Sequence, residues 1–219
     1  MKTIARASTI DRQLSRHCSA LGACRRCGHG DDVLPIVSRA RSPRVMLVGQ
    51  APGKVEAAGG KPFAGRAGAT LFRWLARAGL DEASARERIY ISAVTRCYPG
   101  PSPSGRGDRV PSPAEQANCL SWLEDELCIV RPRLLLPVGR LAIERFLPRL
   151  PLDALIGREH SVRHVAGESV AIPLPHPSGA SSWIHQGDHP QLLARALELI
   201  SIRFAELGLI AEARDRSVA

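Results

Sequence analysis

Aromatic residues are nearly missing from this chain. They make up 4% of its 219 residues, as four Phe, three Trp and two Tyr, so each ring has to be accounted for individually. Long apolar runs are missing altogether: no stretch of about 18 such residues occurs, which excludes a membrane-spanning helix. Met1–Arg16 is basic but has no apolar stretch ahead of a small-residue cleavage site, which argues against a secretory signal. The expectation is a cytoplasmic protein without membrane contact. Internal repeats are also absent, and one loop is the only low-complexity tract. Acidic residues are the minority: 21 Asp and Glu face 30 Lys and Arg, for a formal net charge of +9. Such a surplus favours polyanions, because neutralised phosphates release counterions and steer association. Charge alone does not decide the matter, since Arg- and Ala-rich chains are often basic through genome composition.

What is present fits a single soluble domain. Hydrophobic residues at 44% are enough for a real core, and the length suits one unit spanning 1–219. Residues 1–17 and 212–219 read as flexible ends, and nothing suggests more than a monomer. Six cysteines (Cys18, Cys24, Cys27, Cys97, Cys119 and Cys128) in a cytoplasmic chain are not expected to form disulfides. Metal ligation and buried packing are the readings that remain.

Four apolar runs end in glycine or proline, as buried parallel strands do: Val45–Gly49, Ile89–Thr95, Leu134–Gly139 and Val170–Pro175. Helical spacing lies between them. In Ala69–Ala78 the residues Leu71, Trp74, Leu75 and Ala78 share one face, and Gly79 is a stop. Ser112, Pro113 and Glu115 form a capping box opening a helix to about Val130. Leu141–Phe146 and Gln191–Ala211 complete the set. The alternation predicts an α/β fold, a three-layer α/β/α sandwich around a central, mainly parallel four-stranded sheet. Ligands on such sheets sit beyond the carboxyl ends of the strands. Two loops interrupt the pattern: Tyr98–Pro111, rich in Pro, Gly, Ser and Arg, and Pro175–Pro190, with three histidines and Trp183.

The loop after the first strand reads Gly49-Gln50-Ala51-Pro52-Gly53, followed by Lys61-Pro62-Phe63-Ala64-Gly65-Arg66-Ala67-Gly68. The last strand opens into His176-Pro177-Ser178-Gly179. These strings resemble the two signature motifs of the uracil-DNA glycosylase superfamily, especially its thermophile-type iron–sulfur branch. Tyr90–Cys97, Pro111, Glu115, Cys119 and Val138-Gly139-Arg140 resemble that branch as well, in the same order. The resemblance runs from about Cys24 to Pro190.

It implies a DNA repair enzyme that flips uracil out of DNA and hydrolyses its N-glycosidic bond, leaving free uracil and an abasic site. His176 would stabilise the leaving base through a hydrogen bond to its O2. Gln50 would orient water through its amide. Phe63 would stack on the base, and Gly49, Ala51, Gly53, Ala93 and Ser178 would line the pocket. Arg66, Gly68, Arg106, Arg109, Ser181 and Ser182 would meet DNA, the serines beside a wedge sought near Trp183 and Ile184. Cys24, Cys27, Cys97 and Cys119 would hold a structural [4Fe–4S] cluster, although four thiolates suit zinc equally on spacing alone, with His29 a further zinc donor. Cys18 is close enough in sequence to Cys24 to be an alternative ligand, and Cys128 reads as packed within the second helix.

The chain departs from the family where chemistry is concerned. Other branches carry an aspartate at the position of Ala51 to place water, and the iron–sulfur branch has glutamate where Gln50 stands. The uracil-reading asparagine is replaced by Ala93, as in a broader-specificity branch. Glu56 and Asp108 are the carboxylates nearby, and both read as solvated surface charges. One relative traps the sugar through a histidine in a loop that corresponds to Tyr98–Pro111; that loop has no histidine here, so turnover is expected. The alternatives are a glycosylase for another deaminated base, hypoxanthine or xanthine, and a nucleic-acid binder without catalysis.

Overall fold

The computed structural model describes residues 8–30, 32–104, 107–178 and 183–211. The chain runs α1 (Thr9–Gly22), β1 (Val45–Gly49), α2 (Lys54–Gly59), α3 (Arg66–Arg77), α4 (Glu82–Arg88), β2 (Ile89–Ala93) and α5 (Pro113–Val130). It continues with β3 (Leu134–Pro137), α6 (Arg140–Phe146), α7 (Leu152–Leu155), β4 (His160–His164), β5 (Gly167–Ala171), a 3₁₀ turn (Trp183–His185) and α8 (His189–Glu206). The strands form one sheet in the order β2-β1-β3-β5-β4. Only the β4–β5 pair is antiparallel.

The three-layer sandwich follows from the strands themselves. In β1 all five residues are buried, and their side chains alternate between two cores. Val45 and Leu47 join Leu71, Leu75 and Phe204 on one face, against α3 and α8. Met46 and Val48 join Leu14, Leu123, Leu127 and Ile143 on the other, against α1, α5 and α6. The helix α5 starts where its sequence says, with the Ser112 hydroxyl accepting from the Glu115 amide at 3.3 Å and Pro113 in the first turn.

The sheet has five strands rather than four. The missed strand, β4, reads HSVRH and buries only Val162, so no apolar run marks it. Its partner β5 begins at Gly167, before the expected Val170, because a hairpin through Gly167 (φ +122°) turns the chain back. Beyond Ala171 the chain stays beside β3, with the Ile172 amide donating to Leu135 at 3.0 Å and the Leu174 amide to Pro137 at 2.9 Å, and Leu174 bridges Val138. The hairpin strands β4 and β5 are short and largely polar, with β4 at the sheet edge, so tertiary pairing rather than periodicity sets the conformation. The expected flexible segment 1–17 is helical from Thr9, capped by Ser8 and Asp11. The last helix ends at Glu206, short of the expected Ala211.

A buried polar knot crosses one of the two cores. Glu126 on α5 is 0% exposed. Its carboxylate accepts from the Tyr90 hydroxyl at 2.9 Å and the Ser92 hydroxyl at 2.9 Å, and it pairs with the Arg96 guanidinium. His17 of α1 completes the set, with Nε2 3.2 Å from Glu126. Burial, then the positive charge of Arg96, lowers the pKa of His17, so its ring is neutral and Nε2–H donates. Removing one partner of such a set leaves a buried charge without compensation. Glu126→Ala is therefore expected to cost about 3–5 kcal/mol in a denaturant titration. A loss below about 1 kcal/mol, the scale of an exposed pair, would contradict the account.

Candidate functional site

At the carboxyl ends of β1, β2 and β3 the sheet opens into a cavity of about 350 Å³. That is where open α/β sheets take ligands, and the volume is at the small end of binding sites. Gly49, Gln50, Ala51, Gly53, Phe63, Ala93, His176 and Ser178 all line it. The eight residues that the sequence assigns to catalysis and base recognition are thus brought together.

Glycines give the cavity its shape. A β-carbon on Gly49 would lie 2.9 Å from Phe63 Cζ, so the ring lies against bare backbone at the end of β1. Phe63 has φ +51°, a left-handed conformation that costs a non-glycine residue energy and persists only where neighbours impose it. Arg86 imposes it: Nη1 donates to the Pro62 carbonyl at 2.8 Å and Nη2 to the Phe63 carbonyl at 3.0 Å. Sequence reading missed Arg86, which lies on α4, a helix that no apolar stripe announces. Gly68 makes room for the same turn, since a β-carbon there would sit 1.9 Å from the Phe63 oxygen. Gly68, expected at DNA, is buried in the first turn of α3.

Glu56, expected to be a surface charge, is buried instead. One carboxylate oxygen accepts from the Gly53 amide at 3.1 Å and the other from the Gly65 amide at 3.0 Å. It ties the two glycine turns of the first motif together. Arg66, at the first position of α3, is exposed and faces a surface depression shared with Arg73, Thr70 and Ser178.

The orientation of His176 is fixed from two sides. Gly139, at φ +83°, brings backbone against the ring, where a β-carbon would stand 2.9 Å from His176 Cδ2. The Ser178 amide donates to Nδ1 at 3.3 Å, and the Ser178 hydroxyl lies 2.8 Å from the same atom. A backbone N–H can only donate, so Nδ1 accepts and the ring proton belongs on Nε2. Burial lowers the His176 pKa, which keeps the ring neutral near pH 7. The cavity therefore contains an uncharged N–H donor.

The described residues of the Tyr98–Pro111 loop carry regular backbone pairing that its composition does not announce. Pro101 and Asp108 form an antiparallel bridge, Arg109 N–H donates to Gly100 at 3.1 Å, and Ser102 N–H donates to Gly107 at 2.9 Å. This hairpin lays Gly107, Asp108 and Arg109 along the cavity. Asp108 is exposed, as expected, yet it lines the cavity mouth rather than open surface. Arg109 is not a free phosphate ligand: Nη1 and Nη2 grip both oxygens of Glu115 at 2.7 and 2.5 Å. Those bonds hold the Glu115 carboxyl down at about 2. Glu115 also takes His29 Nε2 at 3.1 Å. Arg106, Ser181 and Ser182 lie outside the described residues. Trp183, sought as a wedge, stacks on His189 with ring centres 4.1 Å apart. It packs with Ile184 against the core.

A second cavity, of about 260 Å³, is lined by Cys24, Cys27, Cys97 and Cys119. Three buried polar atoms among the described residues have no hydrogen-bond partner: Thr95 Oγ1, Arg96 Nε and Trp122 Nε1. All three residues border this cavity. Four soft sulfurs and three unspent polar groups around one space fit a sulfur-rich metal cluster. Among the described residues no three His, Cys, Asp or Glu side chains are gathered to hold a single metal ion. The Cys97 thiol is pushed up to about 12 by burial and then by its neighbours Cys119, Cys27 and Cys24. Cys18 does not line this cavity; its sulfur lies 3.6 Å from the Ser38 carbonyl and 3.8 Å from the Tyr90 hydroxyl. Cys128 is exposed on α5, not packed within it. Among the described residues no helix is long and apolar enough to cross a membrane.

Fold and site define an α/β protein with a small cavity at the strand ends, a half-buried histidine donor and a four-cysteine cavity beside it. The model of the uracil DNA glycosylase superfamily matches residues 37–200, and the chain belongs to that superfamily. It is 33% identical over 135 residues to a type-4 uracil-DNA glycosylase of Thermotoga maritima, covering 62% of this chain and 65% of that one. It is 33% identical over 125 residues to a type-4 uracil-DNA glycosylase of Archaeoglobus fulgidus, covering 56% and 57%. A type-5 uracil-DNA glycosylase of Pyrobaculum aerophilum is 34% identical over 149 residues, covering 62% and 61%. The chain thus aligns with less than two thirds of each relative's length.

The protonation state of His176 is open to direct measurement. In an NMR titration its ring should stay neutral down to a midpoint below the model-peptide value of about 6.5, because burial depresses it. The depressed value makes its contribution to stability present above about pH 6.5 and lost as pH falls through the folded midpoint. A midpoint at or above about 6.5 would contradict a neutral donor.

Proposed function

We propose that the protein is a monofunctional uracil-DNA glycosylase, hydrolysing the bond between deoxyribose and a flipped uracil and releasing free uracil. The observation that carries this reading is His176, whose Nδ1 accepts from the Ser178 amide and so leaves Nε2–H as the donor, in a cavity that Phe63 also lines. Breaking the C1′–N1 bond leaves the electron pair on the base, and the charge spreads to its oxygens. A fixed, uncharged donor in a dry pocket meets that charge without reorganising, and removing such a donor typically costs about 10²–10³ in rate. Stacking on Phe63 supplies about 1–3 kcal/mol toward holding the extruded base. The backbone at Gly49 and Gly53 can approach the ring closely because no β-carbon intervenes. Arg66 and Arg73 beside the mouth suit the phosphates of the strand.

Cys24, Cys27, Cys97 and Cys119 would hold a [4Fe–4S] cluster. When bound, the group supplies a covalent pin joining the N-terminal segment to the end of β2 and to α5. The chemistry above runs through the chain's own residues. Glu115 is placed to pass that order on, because it takes His29 from the cysteine-lined side and Arg109 from the hairpin.

The test is excision from a labelled uracil-containing oligonucleotide, read as strand cleavage after alkali. The wild type should cleave it, and His176→Ala should be slower by about 10²–10³-fold. Oligonucleotides with hypoxanthine or xanthine run beside it measure how far Ala93 relaxes base choice. No cleavage of the uracil strand by cluster-loaded protein would contradict the proposal. Metal analysis checks the cofactor: about four irons with matching sulfide per chain are expected, lost in Cys97→Ser. Zinc in their place would contradict it.

A further inference from the structure

Hydrolysis also needs a water held against the sugar and relieved of a proton, a task none of the residues discussed so far performs. Gln50 has only an amide, which can orient water but does not accept a proton at neutral pH. Ala51 and Ala93 offer no polar atom. His176 is spent on the leaving base. Among the described residues lining the cavity, two carry carboxylates, Glu56 and Asp108. Both oxygens of Glu56 are committed to the amides of Gly53 and Gly65.

We infer that Asp108 is the catalytic residue that holds and deprotonates the attacking water. This assignment rests on the uracil-DNA glycosylase reading. The hairpin bridge to Pro101 and the Arg109–Gly100 hydrogen bond fix the backbone on either side of the carboxylate. Its Oδ2 stands 2.8 Å from the point where a β-carbon on Gly53 would lie, so it is seated directly on the first glycine turn. It reaches that place because Gly53 has no side chain. The Tyr98 hydroxyl lies beside the carboxylate, which has further acceptor positions at the cavity. Arg109, the chain neighbour of Asp108, is bound bidentately to Glu115. Phe63 and Asp108 line the same cavity.

In the step itself the water oxygen forms a bond to C1′ while the C1′–N1 bond breaks. The electron pair of that bond leaves with the uracil as an anion, hydrogen-bonded by His176. The surplus proton of the attacking water passes to the Asp108 carboxylate and from there to solvent.

The test compares Asp108→Asn and Asp108→Glu with the wild type under single-turnover and steady-state conditions. Affinity for abasic product DNA is measured alongside. The asparagine is isosteric and leaves the backbone bridge to Pro101 and the Arg109–Gly100 bond in place, so the hairpin is preserved. It should lower kcat by about 10²-fold or more while KM and product affinity stay within about threefold, with glutamate recovering part of the rate. An asparagine variant as fast as wild type would overturn the assignment. So would an unchanged kcat with a raised KM, or parallel loss of rate and product affinity in both variants, which would mark a loop contact instead. A wild type that leaves the uracil strand intact would sink the glycosylase reading itself, and this inference with it.

Discussion

Glu126 is wholly enclosed, and its charge has to be answered from within the protein. Arg96 answers it, with Tyr90, Ser92 and His17 saturating the remaining lone pairs. The groups come from α5, β2, the turn after β2 and α1, so satisfying one carboxylate fixes four pieces of chain at once. Arg96 also forms part of the wall of both cavities, the one at the strand ends and the one lined by cysteines. Removing any one partner would leave the others buried and unpaired, so the knot holds in place the wall that the two cavities share. Cys97 follows Arg96 directly in sequence, so the knot places a sulfur on one side of the wall and the β2 terminus on the other.

The pocket depends as much on atoms that are missing. Side chains on Gly49, Gly53, Gly68 or Gly139 would collide with Phe63, Asp108, the Phe63 carbonyl or His176 respectively. Each collision involves a group with a proposed role, which is why these glycines cannot be read as generic turn formers. The left-handed Phe63 is the clearest sign that the arrangement is imposed: Arg86 holds its carbonyl, and Gly68 gives that carbonyl somewhere to go.

Most of this frame was legible in the sequence where burial and periodicity coincide. β1 and α5 fall at their expected bounds because one is buried on both faces and the other has a complete capping box. The pocket residues were legible through the resemblance of their strings to the superfamily's motifs, which fall at strand ends. What escaped notice was set by tertiary contact. The β4–β5 hairpin is polar, Glu126 looks like any helix glutamate, and Arg86 matters only because a carbonyl faces it. Asp108 and Glu56 look alike in the sequence, two carboxylates near glycine turns. The fold commits both oxygens of one to backbone amides and leaves the other at the cavity mouth. Arg109 shows the converse error, a loop arginine whose charge is used inside the protein.

The central claim is that the strand-end cavity holds a flipped uracil, with His176 as its donor. A crystal structure of the protein with abasic DNA and free uracil tests it most directly. The account predicts the uracil ring on Phe63, with its O2 about 2.7–3.2 Å from His176 Nε2. A base bound elsewhere, or in this cavity with His176 turned away from it, would contradict the account.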